Sequence, residues 1–152
     1  MTDTFSLQIE ERENEMESLV YEIVSIFVNG RNLIDILKEV EMPFARQEGS
    51  PDIAGGYAGL RPEEIFFPSR RLLDEPETCS SDEKVAVLGC ECGEIDCWPF
   101  LVRITARDDV VIWSDFEQPH RSGHFVGRPW SYEQLQSFLF DRARYMAELE
   151  KG

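Results

Sequence analysis

The chain opens on alternation. Phe5, Leu7 and Ile9 are apolar and Ser6, Gln8 and Glu10 are polar, the period of a strand with one face buried and one wet. A polar stretch over 11–18 should turn the chain. From 19 to 28 it is apolar on both faces, with Val20, Val24, Ile26 and Val28 on one and Tyr21, Ile23 and Phe27 on the other. That pattern predicts a central strand, and the short link predicts a hairpin with the strand before it.

Asn29-Gly30 breaks the run. Asn32 is placed to cap a helix from Leu33, with Asp35 in its first turn and Leu33, Ile36, Leu37 and Val40 as its apolar stripe. Pro43 is expected to stop it. Over 44–82 the periodicity fades. Gly55, Gly56 and Gly59 surround Tyr57, but the Gly-Lys-Ser/Thr ending of a phosphate-binding loop is absent and no strand signal leads in, so this is a turn-rich connection. Pro62-Glu63-Glu64 suits a short helical turn. Residues 74–83 are polar and expected to be exposed.

Order returns with a short strand at 85–89. Phe100, Val102, Ile104 and Ala106 then alternate with Leu101, Arg103 and Thr105, Asp108-Asp109 marks a turn, and 110–116 returns. These three strands suit an antiparallel meander. Residues 117–129 read as a loop. Ser131 with Gln134 fits a capping box, and Trp130 with Leu135 a hydrophobic staple. Leu135, Phe138, Leu139, Met146 and Leu149 then supply the stripe of a helix over 132–149. The fold class expected is α+β: one domain over 1–152, an antiparallel sheet of about five strands packed against two main helices.

Charge changes the picture more than composition does. Fifteen Lys and Arg face 30 Asp and Glu, a net charge of −15. Residues 1–22 hold seven acids and one base, and 74–102 hold eight acids and one base, which together carry −13 of that total. A field of this sign repels nucleic-acid phosphates and anionic membranes and attracts a basic protein. No apolar run approaches the ~20 residues of a membrane span, and the acidic N-terminus lacks the pattern of a secretion signal, so a cytoplasmic location is expected. Acidity also has a plain use in solubility.

The densest chemistry lies in LGCECGEIDCWP, residues 88–99, where Cys90, Cys92 and Cys97 fall within eight residues. Three thiolates with an imidazole from His120 would make a tetrahedral zinc site. The Cys-x-Cys-x4-Cys spacing, however, is not that of a common zinc module, and the same cysteines suit small apolar positions at strand ends. His120 and His124 are the only histidines, and Pro119 and Gly123 put them on a loop rather than on one helix face. Cys90 or Cys97 as nucleophile, His120 as base and Asp115 as orienter would be the elements of a thiol enzyme. Glu91, Glu94 and Asp96, on the same loop, are the acids expected to meet a partner.

The segments GCECGEIDCWPF, VIWSDFEQPHR and PWSYEQLQSFLFDRARYMAEL, with FVNGRNLIDILKEVEMPFA and IAGGYAGL, resemble a family of small, acidic, uncharacterised bacterial proteins that share GCxCGxxxCWP, QPHR and FDRxxY-like segments. The resemblance implies bacterial origin and transfers no catalytic residue. The function expected is a non-enzymatic binding protein, of immunity or regulatory type, that engages a basic protein. The alternative is a metal-dependent or thiol enzyme built on the cysteine loop.

Overall fold

In the computed structural model, which describes residues 2–14, 19–73, 84–91, 97–122 and 129–151, the N-terminal alternation folds as a long hairpin. Strand β1 (Phe5–Asn14) pairs antiparallel with β2 (Leu19–Val28), from Phe5 opposite Val28 to Asn14 opposite Leu19. The Asn-Gly break is itself a two-residue turn: Asn29 and Gly30 take φ of 52° and 80°, and the short β3 (Arg31–Asn32) returns along β2. Positive φ at both central residues is what such a turn requires, and Asn-Gly tolerates it best.

The Asn32 side chain accepts the Ile34 N–H at 2.9 Å and starts α1 (Leu33–Gln47). Pro43 does not stop this helix, contrary to the sequence expectation. It sits on the exposed side, while Leu33, Leu37, Glu41 and Ala45 form one buried row that runs past it. A proline inside a helix costs one backbone bond and a steric clash. Here the packing of the buried row outweighs that local cost.

After α1 come β4 (Tyr57–Ala58), α2 (Pro62–Ile65), β5 (Val85–Cys90), β6 (Phe100–Arg107) and β7 (Val110–Glu117). The predicted meander is present, and β4 extends it on one side. On the other side stands the larger correction. Residues 132–149 are not one helix: Phe138–Asp141 form strand β8 and only Arg142–Leu149 are helical, as α3. Phe138 and Phe140 alternate inward along β7, with Phe138 opposite Trp113 and Phe140 opposite Val111. The helix begins later, where the Asp141 side chain accepts the Arg144 N–H at 3.0 Å.

The described residues therefore form an α+β fold with a five-stranded antiparallel sheet, ordered β4-β5-β6-β7-β8, and a three-stranded sheet, β1-β2-β3. The two are tied at both ends of the hairpin's inner half. Asp3 bridges to Phe140, its N–H donating to the Leu139 carbonyl at 2.7 Å, and Val24 donates to the Leu60 carbonyl at 2.7 Å. Between them lies an aromatic core. The Phe5 ring stacks on Tyr145 at 4.3 Å and tilts against Phe140 at 5.1 Å, and Trp113 meets Phe140 edge-on at 5.5 Å. The polar handles in this core are paired: Trp113 Nε1 donates to the Tyr145 hydroxyl at 3.1 Å, which in turn donates to the Leu72 carbonyl. Buried tyrosine and tryptophan need such partners.

Candidate functional site

Two features stand out from the scaffold: a buried carboxylate with its own donors, and the outer half of the β1–β2 hairpin.

The third residue in the inward row of α1 is Glu41, which is fully buried. A carboxylate out of water must be hydrogen-bonded, and three donors reach it. The Gly55 N–H lies 2.9 Å from Oε1, and the hydroxyls of Tyr57 and Tyr132 each lie 2.5 Å from Oε2. Gly55 has φ 66°, and a Cβ there would stand 2.7 Å from the Cβ of Lys38. Glycine is what lets this N–H come so close to α1. Gln118, also fully buried, extends the network. Its Nε2 donates to the Tyr57 hydroxyl at 3.4 Å and to the Pro99 carbonyl at 3.0 Å, and its Oε1 accepts the His120 N–H at 2.9 Å. A β-bulge precedes it: the β6–β7 register slips between Leu101 and Arg103, and Asp115 takes φ 53°. Bulges re-aim the residues that follow them.

Burial pushes the Glu41 carboxyl above its ordinary value of 4.5, against the pull of Tyr132, Tyr57 and Gly55. Burial and the Glu41 charge push the Tyr57 hydroxyl far up. Burial, with the Glu41 charge and its hydrogen bond to Glu41, does the same to Tyr132. Both tyrosines stay protonated and act as donors. With its donors directed at one carboxylate, the cluster ties α1 to β4 and to the segment ahead of β8.

Toward the surface a second layer covers it. Arg121 Nε pairs with Glu48 at 2.9 Å, and Trp130 Nε1 donates to the same carboxylate at 2.8 Å. The Arg121 guanidinium lies over Trp98 at 5.1 Å and over Trp130 at 5.8 Å, and the His120 ring stacks on Trp98 at 5.7 Å. Trp98 Nε1 is buried without a hydrogen-bond partner among the described residues, which costs roughly 1–3 kcal/mol.

The residues singled out from sequence are distributed around this cluster. Cys90 is half-buried at the end of β5, opposite Tyr57, and Cys97 and His120 are exposed. Glu91 is exposed in the turn after β5. Cys92, Glu94, Asp96 and His124 lie outside the described residues. Asp115 is bonded to Arg103, Nε to Oδ2 at 2.8 Å, and so is engaged elsewhere than with His120. Among the described residues no three His, Cys, Asp or Glu side chains converge as a metal site. Glu41 itself escaped the sequence reading. Its signal was there: it stands four residues after Leu37 and eight after Leu33, on the row a helix turns to one side.

The hairpin supplies the exposed feature. Its inner half is buried, at Phe5, Leu7, Ile26 and Val28, but beyond it Ile9, Leu19 and Val20 are 46%, 57% and 63% exposed. On one face of this outer half Glu11 stands directly opposite Glu22 and Glu13 opposite Val20. Glu11, Glu13 and Glu22 are all exposed. Like charges directly opposite across a strand pair destabilise it.

Among the described residues no helix is long and apolar enough to cross a membrane. No protein-family model matches the chain, and no curated protein or solved structure matches it.

Proposed function

We propose that this protein is a non-enzymatic binding protein, of immunity or regulatory type, that engages a basic protein through the acidic outer half of its β1–β2 hairpin. The observation that carries the reading is the Glu11–Glu22 pair, with Glu13 beside it and exposed Val20 and Ile9 on the same face. A basic side chain set between the opposed carboxylates would relieve their repulsion, and the apolar neighbours would be covered at the same time. Glu91, Glu94 and Asp96 of the cysteine loop belong to the same proposal as a second acidic segment. The buried Glu41 network, by contrast, is accounted for as scaffold.

The test is to recover the partner from the native cell with the tagged chain and to follow association as salt rises. Steered association slows steeply as the Debye length falls from about 10 Å at 0.1 M to about 3 Å at 1 M. Charge reversal at Glu11 and Glu13 should lower the on-rate more than it raises the off-rate, and Glu91→Lys should act in the same direction. An association rate indifferent to salt and to all these reversals would leave the acidity to solubility alone.

A further inference from the structure

Among the described residues the outer edge of β1 is occupied over its inner half and, beyond it, is met by no other strand. Strand order makes β1 an edge strand. Its Leu7 N–H points away from β2, donating to Glu148 Oε1 at 2.8 Å, and Asp3, of the same parity, donates to the Leu139 carbonyl. Backbone groups in an antiparallel strand alternate sides residue by residue, so the N–H and C=O of Ile9, Glu11 and Glu13 leave on this same outer side. Among the described residues the one group that meets them is Arg12, whose guanidinium rests on the Glu11 carbonyl at 3.1 Å from an exposed side chain. An uncovered strand edge is a template for another strand.

We infer that this edge takes up an extended segment of the partner as an added β-strand over Ile9–Glu13, a segment with basic side chains at alternate positions. The inference rests on the acidic-hairpin reading above and gives it a mode of binding. In strand addition the main-chain bonds supply affinity and alternate side chains supply specificity. Ile9, Glu11 and Glu13 project to one face of β1, where Glu22 adds a third carboxylate. An added strand places every second side chain on that face. Basic residues there meet Glu11 and Glu13 directly, with Glu22 one strand further on. A second copy of this chain is the wrong occupant, because antiparallel pairing of two β1 edges would set Glu11 and Glu13 of both copies against one another.

The experiment uses the full chain and a synthetic peptide alternating lysine and valine. Amide hydrogen exchange of Ile9, Glu11 and Glu13 should slow about tenfold or more with the peptide bound, while the amides of β6 stay unchanged. Glu11→Pro removes the outward N–H without touching the ladder to β2, a place where proline is tolerated, and should weaken the peptide about tenfold. Circular dichroism of that variant checks that the hairpin persists, and the exchange data on the unaltered chain stand without it. Binding that leaves the three amides unprotected overturns strand addition, as does binding that ignores Glu11→Pro in a folded variant. If such binding is still lost on Glu11→Lys with Glu13→Lys, the acidic-hairpin reading survives that failure. A peptide that does not bind at low salt also overturns strand addition, and the partner pull-down then judges the other reading separately. Protection of the same amides by self-association of the chain would overturn the basic segment as occupant.

Discussion

Tyr132 donates its hydroxyl to Oε2 of Glu41 over 2.5 Å, joining two residues 91 positions apart. Removing that hydroxyl leaves a buried carboxylate one donor short, because Tyr57 and Gly55 then hold it alone. Tyr132→Phe should cost roughly 1–3 kcal/mol, read as a lower urea midpoint with an unchanged denaturant slope. An unaltered midpoint would mean that the bond contributes nothing net.

The same carboxyl makes stability depend on pH with a definite sign. Burial raises its pKa in the folded chain above the 4.5 it has when unfolded. Between the two values the native chain keeps a proton that the unfolded chain releases, so unfolding becomes easier as pH rises. Glu41→Gln cannot titrate. The stability of the natural chain relative to this variant should therefore fall as pH climbs above 4.5, measured as paired denaturant midpoints across the pH series. A difference that grows with pH would reverse the assignment.

Glu117 should behave in the opposite way. Burial works against its charge, but Lys84 at 2.6 Å and the Ser122 hydroxyl at 2.6 Å win and hold its carboxyl below 4.5. Its contribution is present above that value and is lost as pH falls through the depressed one. Glu117→Gln should thus lower stability near neutrality, and the gap to the natural chain should close in acid.

Gly59 is required by contact. A Cβ there would stand 2.3 Å from the Val24 carbonyl oxygen, beside the Val24 N–H to Leu60 bond that joins β2 to the segment after β4. Gly30 has φ 80° with nothing within 4 Å of a Cβ. Gly30→Ala should cost about 1–2 kcal/mol, the strain of a left-handed residue, and Gly59→Ala clearly more, because backbone must move as well. Equal thermal midpoints for the two variants would contradict this.

Strand β8 can be told from a helix by truncation. Phe138 and Phe140 are buried, whereas Leu139 between them is half-exposed. Phe138→Ala and Phe140→Ala should each cost ~3–5 kcal/mol, and Leu139→Ala distinctly less. A helix would turn neighbours 138 and 139 by similar amounts toward one side, so equal losses at Phe138 and Leu139 would argue against the strand.

Some of this could be read along the chain, and some could not. The hairpin, the Asn32 cap, the meander and the Pro62 turn are each set by neighbours a few residues apart, and all of them stand in the structure. The stretch from 132 to 149 misled because Ser131, Gln134 and the spacing of Leu135 and Phe138 satisfy helical rules locally. The open flank of β7 takes Phe138 and Phe140 instead, and a sheet edge is not visible from the segment itself. The candidate sites divide in the same way. The acids of the hairpin were legible as charge. That Glu11 faces Glu22 follows from a register the sequence only implied.

What the sequence alone determined is the class of fold and the sign of the surface, because periodicity and net charge are properties of neighbouring residues and of sums. The tertiary structure decided which strands share a sheet, that Glu41 is buried between Tyr57 and Tyr132, and that the Leu7 N–H on the β1 edge is met by Glu148. Each of these depends on residues far apart in the chain being brought within hydrogen-bonding distance. The free energy that brings them there comes from burying one shared core, to which no single segment contributes enough to announce its partners.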